Sequence, residues 1–534
     1  LHAAGEFGDT EFIIEGERRL SFKDFLALSR NLAAWMVAEA GIKAGQSVAI
    51  AMKNSTDWMI AFAAIAHVGA VSVLVNSRGE PRSLRAAIED ADCVMAFVDA
   101  RCFEKLRESG CDVKTVLSSN QSDGETIQKL CDYSKSVQFV ERDTDDPASM
   151  FFTSGTTGMP KGVIQTHETN LIPVRRGTEA FASRERSRFF SYLPLSHIAE
   201  RQIVEYGSMV ACGEIWFNES LDTLLRDLPT CKPNVFFGPP RVWEQLQQAV
   251  LGKVGGQEAL DKLLEQDAEG MSALVLGGLG LTDVDYCLTA AAPTPPALIH
   301  WWDKLGLTLC EGFGQTEAMS LIVTKVDDRR IGSIGKPISG VEVKISDIGE
   351  LLIRAEGCTP GYYQQPEKTA ELWQNGWLHT GDKAYVDDDG FIFITGRVKD
   401  YFKTIQGKFV APPPIEGLFA HNVHAEQQCL LGRGFSKTVM VTVLSDAAAA
   451  LESAVVQTSV LDTIASINAE IEKHARIGAV IISKDHWTIE NEILTPTLKI
   501  RRERVEAVFA EKAEQLARQS AEQGEVLVHW FDNC

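Results

Sequence analysis

Three short runs of interior-type residues, Ser47–Met52, Val71–Val75 and Cys93–Val98, alternate with two helix-forming stretches, Asp57–His67 and Pro81–Asp90. This alternation constrains the fold more than any other feature of the chain. Strands separated by helices cannot pair as tight hairpins. They need crossover connections, which lay the strands parallel and cover both faces of the sheet with helices. Val235–Phe237 repeats the signal, and Pro239-Pro240 opens a further helix over Arg241–Gln248, because proline is accommodated in a first helical turn. The expectation is an α/β chain.

At 534 residues the chain exceeds one compact core and divides into several structural units. A net charge of -21 argues against nucleic acid as a partner, since that surface demands a cationic face. The 11 cysteines are odd in number and include no Cys-x-x-Cys pair, which points to a reducing, cytoplasmic compartment. No amino-terminal secretory signal is read. The longest apolar stretch, Trp58–Val75, is interrupted by His67, Gly69 and Ser72. It reads as a buried helix ending near Gly69 and a buried strand Ala70–Val75, not as the ~20 apolar residues of a membrane span. Peripheral contact with a membrane stays open.

From Ile331 the texture changes to short alternating runs, Val341–Ile345, Glu350–Arg354 and Phe391–Thr395, punctuated by Gly and Asp. They predict a smaller β-rich unit. Strands near Gln428–Leu431 and Thr438–Val443 and helices over Leu461–His474 and Arg501–Gln519 follow.

Residues 153–162 read TSGTTGMPKG behind an apolar strand end, Met150–Phe152. Glycines let a backbone approach an anion closely and turn its N–H groups toward it. The hydroxyls of Thr153, Ser154, Thr156 and Thr157 and the ammonium of Lys161 add donors for triphosphate oxygens. The spacing is not that of the GxxxxGK[ST] loop: four residues on from Gly155 stands Met159, then Pro160 in place of glycine, and Gly162 follows the lysine.

The whole string resembles the signature of the adenylate-forming superfamily, which holds acyl-CoA synthetases, luciferases and peptide-synthetase adenylation domains. Further segments resemble the same family in the same order: YLPLSHIAER at 192–201, LTAAAP at 288–293, EGFGQTEA at 311–318, GWLHTGD at 376–382, GRVKDYFKTIQGKFVAPPPIE at 396–416 and LTPTLKIRR at 494–502. The resemblance implies a large amino-terminal domain of two α/β subdomains plus a β-barrel, and a small mobile α+β carboxy-terminal domain. It puts the boundary at Val398–Asp400, giving domains 1–398 and 399–534.

It also implies roles. Thr153, Ser154, Gly155, Thr156, Thr157, Gly158 and Lys161 hold the phosphates of ATP. Thr316 contacts the α-phosphate and Glu317 holds Mg²⁺, a hard cation suited to a carboxylate. Ala291, Ala292 and Pro293 on one side, and Gly312 and Phe313 on the other, enclose the adenine, and Glu311 and Gly314 also belong to the nucleotide site. Asp382, with Arg397, takes the ribose hydroxyls. Lys499 is the catalytic lysine, neutralising charge that develops as a carboxylate attacks the α-phosphorus. Lys399 matches the hinge, and Gly407 lies in the loop that admits coenzyme A.

That loop departs from the long-chain synthetase pattern SGGEYVAP: Gln406 replaces a glycine and Lys408 an acidic residue. FGPPRVWEQL at 237–246 and LTPTLKIRR look most like the long-chain fatty acyl-CoA synthetase branch, and His197 matches a position that lines the acyl pocket. The expected reaction is activation of a medium- to long-chain fatty acid by ATP, followed by transfer to coenzyme A. Two alternatives stand beside it: a fatty acyl-AMP ligase serving a carrier protein, and a nucleotide-binding regulator without catalysis.

Overall fold

The computed structural model describes residues 2–119, 124–153, 161–488, 491–494 and 500–531. The chain divides into two compact units: Leu1–Lys344, Leu352–Thr380 and Asp387–Ile392 form the first, and Ile345–Leu351, Gly381–Val386 and Phe393–Cys534 the second.

The first unit contains the expected crossover sheets. A six-stranded sheet runs Lys114–Leu117, Met95–Val98, Ser47–Ala51, Val71–Leu74, Pro147–Thr153, Lys161–Thr166. It is parallel throughout except for the last pair, which is antiparallel. Its crossover helices form where the sequence predicts them. Helix Thr56–Val68 is capped by the Ser55 hydroxyl at its start and by Gly69, in the left-handed region at φ 75°, at its end. Helix Pro81–Asp90 begins on proline and buries Leu84, Ala87 and Ile88, an i, i+3, i+4 stripe. Among the described residues no helix is long and apolar enough to cross a membrane.

The second large sheet has nine strands. Its middle, Leu309–Gln315, Tyr286–Thr289, Val235–Gly238, Arg188–Ser191, Glu214–Phe217 and Glu11–Glu15, is parallel. One face packs on an aromatic core in which Trp243 and Trp302 meet edge to face at 5.3 Å. The helix after Val235–Gly238 runs Pro240–Val254, longer than the predicted Arg241–Gln248, because Val250 continues its buried stripe to the Gly255 cap. Asn54 ties the ends of the two sheets together: its amide donates to the Leu193 carbonyl (2.6 Å) and the Ser191 hydroxyl (3.0 Å), and its carbonyl accepts from the Leu195 N–H (2.9 Å).

The alternating runs after Ile331 become strands Glu342–Ile345, Glu350–Arg354 and Ile392–Arg397, which with Trp373–Gln374 and Trp377–Val386 make a five-stranded sheet. In the second unit a four-stranded sheet, Ala425–Leu431, Thr438–Leu444, Ile477–Ser483, Leu527–Phe531, carries helices Pro412–Phe419 and Ser453–Glu470 on one face and Arg502–Gln523 on the other. Helix Ser453–Glu470 differs from the predicted Leu461–His474. It starts earlier because Val456 and Val460 already face the core, and it stops at Ile471, whose backbone is extended. The described cysteines are free thiols.

Candidate active site

The six-stranded sheet carries both ends of the segment 153–162. Thr153 ends one strand and Lys161 begins its antiparallel neighbour, and the two are cross-strand partners. Ser154, Gly155, Thr156, Thr157 and Gly158 lie outside the described residues, as does Lys499.

The nine-stranded sheet delivers a second group at the carboxyl ends of its strands, where open α/β sheets bind ligands. Thr289 pairs in parallel with Glu311, so the loop carrying Ala291, Ala292 and Pro293 leaves beside the strand carrying Glu311, Gly312, Phe313 and Gly314. Ala291 sits in the left-handed region at φ 76°, and a 2.9 Å hydrogen bond between the Thr289 and Thr294 hydroxyls closes the loop. Ala292 and Pro293 are exposed, while Gly312, Phe313 and Gly314 are half-buried. Glu311 is buried, and its carboxylate accepts a 2.9 Å bond from the Gly332 N–H. Burial pushes its carboxyl up to about 7, against the opposing pull of that N–H and of Arg329.

Strand Leu309–Gln315 then reverses. Gln315 pairs with Ala318, so Thr316 and Glu317 form the tip of a tight hairpin. The tip is held by its main chain. The Gln165 side-chain amide donates to the Thr316 carbonyl (2.6 Å), and the Thr359 N–H donates to the Glu317 carbonyl (2.8 Å). On the side-chain level the Tyr362 hydroxyl donates to Glu317 Oε1 at 2.8 Å, and Lys161 Nζ lies 4.7 Å from the centroid of the Tyr362 ring. Thus Lys161 and Glu317, 156 residues apart in sequence, meet opposite parts of one phenol.

A half-buried carboxylate next to a threonine hydroxyl fits Mg²⁺, which takes one or two protein carboxylates and completes its octahedron with phosphate and water oxygens. Among the described residues no group of three or more His, Cys, Asp or Glu side chains is placed to hold a metal on protein ligands alone.

His197 lies half-buried in the turn before a π-helical segment, Glu200–Tyr206, and its Nδ1 accepts from the Ala199 N–H at 3.3 Å. π-Helical turns concentrate at functional sites. Within that segment, Arg201 and Glu205 are fully buried and paired at 3.3 Å. The Arg201 guanidinium lies 4.0 Å from the Phe62 ring centroid and 5.0 Å from that of Tyr206. Burial raises Glu200 to about 8 and Glu205 to about 7.

In the second unit Asp382 is buried at 2.8 Å from Arg397 Nε. The Gly381 N–H donates to Glu350 (2.8 Å), and the Gly381 carbonyl accepts from the Val398 N–H (2.8 Å). Lys399 is exposed in the turn that follows. Gly407 sits at φ 73° in the tip joining strands Phe402–Lys403 and Phe409–Val410, with Ile405 and Phe409 exposed beside it.

Sequence reasoning missed Tyr362, Thr359 and Gln165. The visible signal was the Gly361-Tyr362-Tyr363 string, too short to distinguish from a turn between strands.

Comparison with known proteins shows what the chain as a whole is similar to. A long-chain-fatty-acid–CoA ligase of Mycobacterium bovis is 29% identical, covering 91% of this chain and 90% of its own. Fatty acyl-CoA synthetase A of Dictyostelium discoideum is 25% identical over 93% of this chain and 86% of its own. A solved anthranilate CoA ligase in complex with anthranoyl-AMP shares the fold, with a TM-score of 0.79 at 20% identity over 96% of each chain. Residues 399–521 match the AMP-binding enzyme C-terminal domain. Residues 1–363 match the AMP-binding enzyme family, and the chain belongs to it.

Proposed function

We propose that this AMP-forming acid–thiol ligase activates a medium- to long-chain fatty acid with ATP and transfers the acyl group to coenzyme A. The observation that carries the adenylation step is the convergence of Lys161, Tyr362 and the Thr316–Glu317 turn. The named activities of the relatives, at 29% and 25% identity across most of the chain, support the fatty acid and the thiol.

In the first step a carboxylate oxygen attacks the α-phosphorus, the bond to the β-phosphate oxygen breaks, and acyl-AMP and pyrophosphate form. Lys161 and the loop before it take the phosphates, and Thr316 takes the α-phosphate. Ala291–Pro293 on one side, and Gly312 and Phe313 on the other, enclose the adenine, and Glu311 and Gly314 also belong to the nucleotide site. Asp382 and Arg397 take the ribose, and Lys499 supplies charge to the transition state. Catalysis of this kind is mostly positioning and charge neutralisation. When bound at Glu317, Mg²⁺ would neutralise phosphate charge. His197 would line the acyl pocket. In the second step the thiol of coenzyme A attacks the acyl carbonyl, AMP leaves, and the thiol proton goes to solvent. For this step a carboxy-terminal domain, residues 399–534, turns about Lys399 and presents the Gly407 loop. The assignment as a cytoplasmic enzyme rests on the cysteine usage.

Gln406 and Lys408 favour a second reading, a fatty acyl-AMP ligase that serves a carrier protein, because they alter the loop expected to admit the thiol. The test is release of pyrophosphate and AMP from Mg-ATP across fatty acids of increasing chain length, with and without coenzyme A. Acyl-CoA formation with AMP release supports the ligase. Retained acyl-AMP, indifferent to coenzyme A, selects the carrier reading. Turnover of no fatty acid refutes both.

A further inference from the structure

We infer that Tyr362 is a positioning residue that couples the phosphate-loop lysine to the metal-binding carboxylate. This inference rests on the adenylation reading of Lys161 and Glu317.

Three features single out Tyr362. Its hydroxyl donates to Glu317 Oε1 at 2.8 Å, which fixes the carboxylate rotamer and leaves Oε2 and the remaining lone pairs for a cation. Its ring face lies 4.7 Å from the Lys161 ammonium, within the range of a cation–π contact. Its backbone is pinned independently of either side-chain contact. Tyr362 bridges to Val163 in antiparallel fashion, and its N–H donates to Thr369 Oγ1 at 3.0 Å. The neighbouring Ile164 N–H donates to the Gly361 carbonyl (3.0 Å), and the Tyr363 N–H to the Gly162 carbonyl (2.8 Å). The side chain is buried at 9% exposure, so its ring has little room to turn.

The two halves of the side chain therefore do separable work. The hydroxyl orients the carboxylate, as partners behind metal ligands do, and losing such a partner typically weakens metal binding about 10–100-fold. The ring holds the lysine near the phosphate position before nucleotide arrives, so less side-chain freedom is lost on binding.

The experiment uses the full-length protein and two variants. Tyr362→Phe keeps the ring and removes the hydroxyl; Tyr362→Leu removes both. Affinity for ATP without metal is measured by calorimetry, and affinity of the ATP complex for Mn²⁺, as a spin probe for Mg²⁺, by electron paramagnetic resonance. Expected is a loss of about 10-fold or more in metal affinity for both variants. Metal-free ATP affinity should be unchanged in Tyr362→Phe and reduced in Tyr362→Leu. The backbone bonds that pin Tyr362 do not involve its ring, so both variants should fold, and melting curves check this. Wild-type metal affinity in Tyr362→Phe, or equal metal-free ATP affinity in both variants, overturns the coupling. Wild-type protein that binds ATP but whose metal affinity is unmoved by Glu317→Gln shows instead that the reading of Glu317 has failed.

Discussion

Glu311 makes the linkage between site and stability measurable. Its carboxyl is buried, accepts from the Gly332 N–H, and is raised by burial from an ordinary 4.5 to about 7. Between these values the folded protein keeps a proton that the unfolded chain releases. The stabilisation is therefore fully present below pH 4.5 and is lost as the pH rises through 7. At about 1.4 kcal/mol per pH unit the total loss is about 3 kcal/mol. Glu311→Gln keeps the shape and an amide oxygen for Gly332 but cannot titrate. It should match the wild type near pH 4 and exceed it by about 3 kcal/mol at pH 8. Urea unfolding followed by tryptophan fluorescence reports on this unit, because eight of the ten tryptophans lie in it. Glu200 and Glu205 titrate in the same window, but they do so in both proteins and cancel in the difference. Parallel pH profiles for the two proteins would refute the reasoning.

Arg201→Met strips the buried Glu205 of its counter-charge and should destabilise the first unit by about 3 kcal/mol at pH 8, whereas adding Glu205→Leu should restore most of it. A double-mutant cycle without coupling would contradict the pairing. Asp382→Asn keeps an acceptor near Arg397 but loses the charge, and should raise the KM for ATP about 10–100-fold with a smaller change in kcat. An unchanged KM would remove Asp382 from the nucleotide site. Lys499→Ala should slow acyl-AMP formation sharply and leave thioester formation from supplied acyl-AMP intact; equal losses in both half-reactions would exclude the assigned role.

Helix Pro81–Asp90 was legible to its last residue, because a proline start and an i, i+3, i+4 stripe are local signals. Helix Ser453–Glu470 was not, because its first half is rich in β-branched residues and Glu452 before it offers no side-chain cap. Asp382 and Arg397 were assigned to one ribose site by their motifs, but their direct 2.8 Å contact between neighbouring strands was not read. Tyr362 was invisible as a contact. It reaches Glu317 and Lys161 only because the segment around it is added edge-on to the strand beginning at Lys161, and no local periodicity encodes that pairing.

Two carboxylates, one in each unit, show how a turn can be held rigid while its side chain is spared. A side chain that binds its own loop to hold that loop in place cannot also bind substrate. At the Thr316–Glu317 tip the anchoring falls to main-chain carbonyls, taken by Gln165 and Thr359, so the threonine hydroxyl and most of the carboxylate stay uncommitted to the turn. At Asp382 the same division recurs: Glu350 and Val398 grip Gly381 through its N–H and carbonyl, and the aspartate is left to face Arg397. If Glu317 and Asp382 take the ligands proposed for them, each exchange of partner costs a side-chain rotation and not a rearranged turn, the condition for pre-organised electrostatic catalysis.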